Sequence, residues 1–313
     1  MISISYTITP TITDHLIAID AHRRTILTTP LSPRNEQRLH WDSIIGHITA
    51  SLALANTTIP KSQIVTILTH PSKHPTATEQ LVLSYKRALD WLHEEWSANP
   101  KTITFPVVET LASIALPAHS ARAALRDDEE NIRHLLTYLQ SQSDHPILVA
   151  GLAHGQIASS SNRNLSSGLI CRLTTALILA KYGYDCRGML AIDPFWTENR
   201  ERYDRALESI NRLGQLTAWL EYFTGVAQEA YDGLAEEISH AAAHLPISTW
   251  LLAPREDQIM HRLDSPTSRI TNRDVQRSFH ISQVTASRVL TRLVSLGLLF
   301  AHGKGRSVYY TKA

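Results

Sequence analysis

The sequence predicts a mainly α-helical body over residues 1–264, followed by a small basic module in which two short helices precede a hairpin. Three observations carry this. Apolar residues recur at helical spacing through most of residues 13–244, where strand signals are scarce. Breakers such as Pro71-Ser72-Lys73-His74-Pro75, Asn99-Pro100 and Lys181-Tyr182-Gly183-Tyr184 cut that stretch into pieces of helix length, with no internal repeat. The residues from Ser265 to Ala313 hold eight Lys or Arg against one acid, Asp274, a local charge of +7 on a chain whose total is +1. Residues 1–264 therefore carry −6, and such asymmetry is expected where one module faces a polyanion and the other does not.

In order, Ile2 to Thr9 reads as extended, and a helical pattern starts near Thr13. Helices are then predicted at Pro33–Asn56, Lys61–Leu68, Thr76–Trp96, Phe105–Leu116 and Asp127–Gln142, several opened by Ser, Thr or Asp beside a proline or an acidic first turn. They continue at Ile147–Ala158, Gly168–Tyr182, Pro194–Gly214 and Leu216–His244, with Arg255 to Ser265 as a linker. Trp91, Trp96, Trp196, Trp219 and Trp250 sit at apolar spacing and are assigned to the core. Glu198, Arg200, Glu201, Arg202 and Arg205 alternate in sign, as a solvated face of surface pairs does.

Within the basic module, Thr271 is placed to cap a helix over Asn272–Phe279, His280-Ile281 to turn the chain, and Ser282 to cap a second helix running to about Leu296. Ala286, Val289, Leu290, Leu293 and Leu296 share one side of that helix, and Gly297 ends it. Gln283, Thr285, Ser287, Arg288 and Arg292 are left facing outward. Leu298–Ala301 and Arg306–Tyr310 flank the Gly-rich His302-Gly303-Lys304-Gly305 as a hairpin. Together these segments resemble a winged helix-turn-helix, whose second helix enters the major groove of double-stranded DNA. Hydroxyl, amide and Arg side chains suit base edges and phosphates, so Ser282, Gln283, Thr285, Ser287, Arg288 and Arg292 are the candidate readers, with Lys304 and Arg306 as phosphate contacts.

Composition sets the remaining bounds. A chain of 313 residues, 43% hydrophobic and 19% charged, is expected to form a globular protein with more than one domain. Cys171 and Cys186 lack the spacing of a metal site or redox pair, and apolar runs such as Leu173–Ala180 are too short to span a bilayer. A reduced, cytoplasmic location without membrane contact is the expectation.

Inside the body, His145-Pro146-Ile147-Leu148-Val149-Ala150-Gly151-Leu152-Ala153-His154, then Gly168-Leu169-Ile170-Cys171-Arg172-Leu173 and Tyr182-Gly183-Tyr184-Asp185, resemble the core of a Fic (Fic/DOC) domain. Tyr203-Asp204-Arg205-Ala206-Leu207 and Thr217 to Phe223 add to the likeness, which runs from about Ile2 to Ala230. The resemblance implies a helical bundle, and in active members a motif His-Pro-Phe-x-Asp/Glu-Gly-Asn-Gly-Arg-x-x-Arg that transfers a nucleotide monophosphate to a protein hydroxyl. The best gap-free register lays that motif on Ser161 to Arg172, where only Gly168 and Arg172 match. Ser161 then stands at the general base, Leu165 at the magnesium-binding acid and Leu169 at the first arginine. Ser51-Leu52-Ala53-Leu54-Ala55-Asn56 fits the family's inhibitory frame with Ala55 in place of its Glu, and Leu116–Asp127 is too short and Ala-rich for the substrate-clamping flap. Shifting the register would make His154 the base, but Ala158 would replace the metal ligand and the match at Gly168 and Arg172 would be lost; otherwise His154 is a packed histidine.

Two readings of the motif region stay open at this point. Ser166, Ser167 and Gly168 precede helical sequence and, with Arg163 and Arg172, form a candidate anion site for a nucleotide or other phosphorylated metabolite without turnover. Alternatively they cap a helix whose Arg172 is held internally. No metal or cofactor is expected. The expected organisation is a helical region at 1–98, a degenerate Fic-like core at 99–230, a helical linker at 231–264 and the winged helix at 265–313. The expected function is DNA-binding transcriptional regulation by a homodimer on a catalytically inactive scaffold. A protein adenylyltransferase, or a toxin–antitoxin-type interaction protein with a protein partner, are the alternatives.

Overall fold

A computed structural model describes residues 4–96, 101–126, 129–141, 143–160, 165–243, 253–263, 268–295, 298–303 and 308–312. The chain divides into two compact units, Met1–Ala243 and His244–Ala313.

The first unit is helical. Thr9 caps α1 (Pro10–Thr28) and Ser32 caps α2 (Pro33–Leu54), each with proline in the first turn, where a missing N–H costs nothing. After α3 (Lys61–Thr69), a reciprocal capping box between Thr76 and Glu79 opens α4 (Ala77–Trp91). The predicted helix ending at Trp96 is not uniform, because Leu92–Trp96 form a π-helical turn. Next come α5 (Phe105–Ala115), α6 (Ala118–Arg126) and α7 (Glu129–Ser141). The Ala-rich stretch after Leu116 forms a helix, buried through Ala121 and Leu125.

At the centre lie α8 (Pro146–Ser160) and α9 (Leu165–Lys181), packed against each other. Their apolar residues are not confined to one stripe: Ile147, Leu148, Val149, Ala150, Leu152 and Ala153 are all buried, as expected of a helix enclosed on every side. The predicted single helix Pro194–Gly214 is two, α10 (Asp193–Glu198) and α11 (Arg200–Leu213). Asn199, at φ −135° and ψ 69°, breaks it, and its side chain accepts from the Arg202 amide to cap the second piece. The last element of the unit is α12 (Thr217–Ala243), which packs along α1. Contact between α8 and α12 needs glycine, since a Cβ at Gly155 would lie 2.5 Å from Trp219 Nε1 and one at Gly151 would lie 2.8 Å from the Phe223 ring.

The second unit has its own core of Ile259, Met260, Leu263, Ile270, Val275, Ala286, Leu290, Leu293 and Leu299. Its first element, α13 (Pro254–Arg262), corrects the reading of Arg255–Ser265 as a linker: Ile259, Met260 and Leu263 are buried, which makes this helix part of the core. The stretch 231–264 is therefore shared between α12 of the first unit and α13 of the second. Then follow β1 (Ile270–Thr271), α14 (Asn272–Phe279), α15 (Gln283–Ser295), β2 (Leu299–His302) and β3 (Tyr309–Lys312). The strands form one antiparallel sheet in the order β1-β3-β2, with His302 opposite Tyr309 and Ile270 opposite Tyr310.

Candidate functional site

The resemblance directs attention to the start of α9. Ser161, Arg163 and the rest of the preceding loop lie outside the described residues, as does the side chain of Leu165. From Ser166 on, the helix turns inward: Ser167 is 5% exposed, Leu169 is fully buried and Arg172 is 4% exposed. Arg172 donates through Nε to Ser51 Oγ (3.0 Å) and through Nη2 to the Ser51 carbonyl (2.8 Å). A Cβ on Gly168 would meet its guanidinium at 3.2 Å, so glycine one turn earlier lets Arg172 lie back along the helix. The candidate anion-binding arginine thus faces the end of α2 and is not open to solvent. Its partners are the hydroxyl and carbonyl of Ser51, which opens the Ser51–Asn56 frame; Ala55 itself forms the cap that ends α2.

Ser51 extends the arrangement into a buried polar network. Its hydroxyl donates to Asp193 Oδ2 at 2.6 Å and lies 2.6 Å from Tyr85 Oη. Since Ser51 gives its proton to the carboxylate, the Tyr85 hydroxyl is the donor in that second bond. His47 completes it, with Nδ1 3.2 Å from Asp193 Oδ2 and Nε2 3.1 Å from the Leu190 carbonyl. Burial pushes the Asp193 carboxyl up, but His47, then Arg172 and the Ser51 hydroxyl outweigh it and hold the group below the ordinary carboxylate value. His47 moves the opposite way: burial lowers its pKa, and the Asp193 charge more than restores it. Asp193, His47 and Tyr85 could not be singled out in sequence, because their roles arise from packing between α2, α4 and α10.

His154, the base of the shifted register, is wholly buried. Thr175 gives its hydroxyl proton to the Cys171 carbonyl, so at 2.9 Å it accepts from His154 Nδ1–H. Nε2 then accepts from Tyr203 Oη at 2.8 Å. The ring is enclosed by Trp196 and stacked on Trp219, and burial, followed by the Arg172 charge, pushes its pKa down to about 3. An imidazole with both nitrogens engaged and no route to water does not fit the role of a general base. Among the described residues no cluster of His, Cys, Asp or Glu has a metal-binding arrangement. Leu169 in the core and Arg172 held by Ser51 likewise do not fit a magnesium–nucleotide site.

The second unit presents a different surface. Thr271 and Asp274 form the capping box of α14, and His280, at φ 50°, turns the chain into α15. Ser282 accepts from the Thr285 amide at 3.2 Å, so the predicted cap is present. Along α15, Ala286, Leu290 and Leu293 are buried while Gln283, Ser287 and Arg288 are exposed and Thr285 is half-buried. Arg292 differs from the other predicted readers: it pairs at 3.1 Å with Glu256 of α13, whose side chain is only 3% exposed. Val284, beside Gln283 and not among the predicted readers, is 62% exposed. Lys304 and Arg306 lie outside the described residues.

No known protein-family profile matches the sequence, and no curated protein matches it. Solved structures do. A Fic family protein from Desulfovibrio desulfuricans G20 matches with a TM-score of 0.58 at 15% identity, over 99% of this chain and 98% of that one. A Fic domain containing signaling protein from Bacteroides thetaiotaomicron VPI-5482 matches with a TM-score of 0.55 at 13% identity, over 72% of this chain and 98% of that one. The fold is therefore Fic-like and mainly helical. No helix among the described residues is long and apolar enough to cross a membrane.

Proposed function

We propose that the chain is a DNA-binding regulator in which a Fic-like body without nucleotidyl-transfer chemistry supports a winged helix-turn-helix. The observation that carries this reading is the exposed row Gln283, Ser287 and Arg288 on α15, set between the αL turn at His280 and the β2–β3 hairpin in a basic unit. A capped helix offering amide, hydroxyl and guanidinium groups from its first turns is the usual means of reading base edges in the major groove. The body supports it from the other side, because the residues at the positions of the base, the metal ligand and the first arginine do not fit catalysis. The regulator would act as a symmetric dimer on paired half-sites.

The test is retention of a labelled duplex from upstream of its own gene by the purified protein, at two salt concentrations and against excess random duplex. Sequence-specific retention that weakens as salt rises is the expected result. Equal retention of random duplex would remove the regulator reading and turn attention to a protein partner.

A further inference from the structure

We infer that the first unit carries a ligand site at the end of α9 opposite Arg172, shaped for a short organic acid bearing a hydrogen-bond acceptor at its far end. It does not rest on the DNA-binding reading. At a rise of about 1.5 Å per residue, Lys181 is roughly 14 Å along the helix from Arg172.

The site has two parts that share His40, His93, Ala180 and Asp185 as walls. The inner part is a pocket of about 50 Å³ among Leu89, Leu179, Leu190 and Ile192. It is mostly apolar, with His47, Asp185 and Asp193 also on its wall, and it is not satisfied. Trp196 is fully buried and lines it, and among the described residues the indole Nε1–H has no partner; His93 Nδ1, also buried, has none among them either. A buried donor without an acceptor is costly, and native structures rarely keep one without a reason. A pocket of this size takes a small terminal group, not a ring system.

The outer part is a surface groove of about 850 Å³. Arg23, Lys181 and Arg187 outnumber the acids Glu36 and Asp185 along it; Arg187 pairs with Glu36 at 3.3 Å, which leaves Arg23 and Lys181 as the cations beyond that pair. The Asp185 carboxylate accepts from the Gly188 amide at 3.1 Å. Lys181 has no carboxylate partner among the described residues, and its ammonium lies 5.0 Å from the centre of the Tyr182 ring. An anion is therefore favoured at the rim and an uncharged acceptor inside.

The wall shared by the two parts is built from unusual backbone. His93 belongs to the π-helical turn, a form often found at functional sites. Opposite it, Cys186, Arg187 and Gly188 have φ of 50°, 60° and 73°, three left-handed residues in succession. A Cβ on Gly188 would lie 2.9 Å from His40 Nδ1 and 3.0 Å from His93 Nδ1, so glycine lets the chain close against the two rings, whose centres stand 4.6 Å apart. Burial and then His93 lower the pKa of His40, which keeps its ring a neutral hydrogen-bonding wall.

Calorimetric titration of the full chain with 4-oxopentanoate and 6-oxoheptanoate, and with pentanoate and heptanoate as partners lacking the acceptor, tests the proposal. At least one oxo acid is expected to bind one per chain, and several-fold more tightly than its unsubstituted partner. Trp196→Phe, which removes only the N–H, should abolish that difference, and Lys181→Ala should weaken both acids of the pair several-fold. Gly188→Ala should block binding, and if it fails to fold the other two variants still decide. No saturable binding of either oxo acid up to about 10 mM, or binding indifferent to Trp196→Phe and Lys181→Ala, would overturn the proposal.

Discussion

Arg172 of α9 is clamped by a single residue of α2, Ser51, which accepts from its Nε at 3.0 Å through the hydroxyl and from its Nη2 at 2.8 Å through the carbonyl. The arginine that the sequence offered as an anion ligand is thus a cross-brace between helices. Ser51→Ala should destabilise the body by about 1–3 kcal/mol, because a buried guanidinium donor loses its acceptor. Arg172→Met should cost more, on the order of 3–5 kcal/mol, by leaving the Asp193 charge with His47 as its remaining cation. Denaturant unfolding of the two variants checks the ranking; a neutral Arg172→Met would show that the brace contributes nothing.

His154 sets a pH dependence. Its pKa in the folded chain, about 3, lies below the ordinary histidine value near 6.5, so between these limits the unfolded chain binds the extra proton. Stability from this residue is therefore complete above about pH 6.5 and is lost as pH falls toward about 3. Unfolding free energies measured between about pH 7 and 4.5 should decline with acid, and His154→Gln should flatten that decline while lowering stability at neutral pH by about 1–3 kcal/mol.

Gly155→Ala tests the contact of α8 with α12. A methyl group there would sit 2.5 Å from Trp219 Nε1, whose N–H donates to the Gly151 carbonyl at 2.7 Å. Since neither helix backbone can yield freely, the expected cost is about 1–3 kcal/mol, with a shift in tryptophan emission as the indole is displaced. An unchanged melting curve and spectrum would show that α12 can move aside.

In the second unit, Arg288 and Arg292 should separate. Arg288→Ala should weaken DNA binding by roughly 10-fold or more and make it less salt-dependent, with the melting temperature unchanged. Arg292→Ala should lower the stability of the C-terminal unit by about 1–2 kcal/mol, since it strips Glu256 of the Arg292 guanidinium, a loss moderated by solvent around the half-exposed Arg292. Equal loss of DNA binding without loss of stability in both variants would show that Arg292 serves DNA and not α13.

The cap of α14 gives a smaller effect. Thr271→Ala removes a hydroxyl that takes the Asp274 amide and donates to its carboxylate, and should cost the C-terminal unit about 1 kcal/mol in thermal unfolding.

By itself the sequence determined the helical class, α14 to its terminal residues and the cap at Ser282, because caps, turns and periodicity are local and Thr271, His280 and Ser282 act on neighbours a few residues away; the second arm of the hairpin, expected at Arg306–Tyr310, is instead the strand Tyr309–Lys312. What only the tertiary structure decided are matters of long-range packing. The π-turn at Leu92 and the break at Asn199 interrupt patterns that read as continuous helix. Pro254–Arg262 is helical and in the core because Ile259 and Met260 find apolar partners on α15 and the sheet. The Arg172–Ser51–Asp193–His47 network and the orphaned Trp196 N–H join residues more than a hundred positions apart or enclosed by several helices. No local pattern encodes such meetings, since they depend on which helices pack together and on how much water that packing excludes.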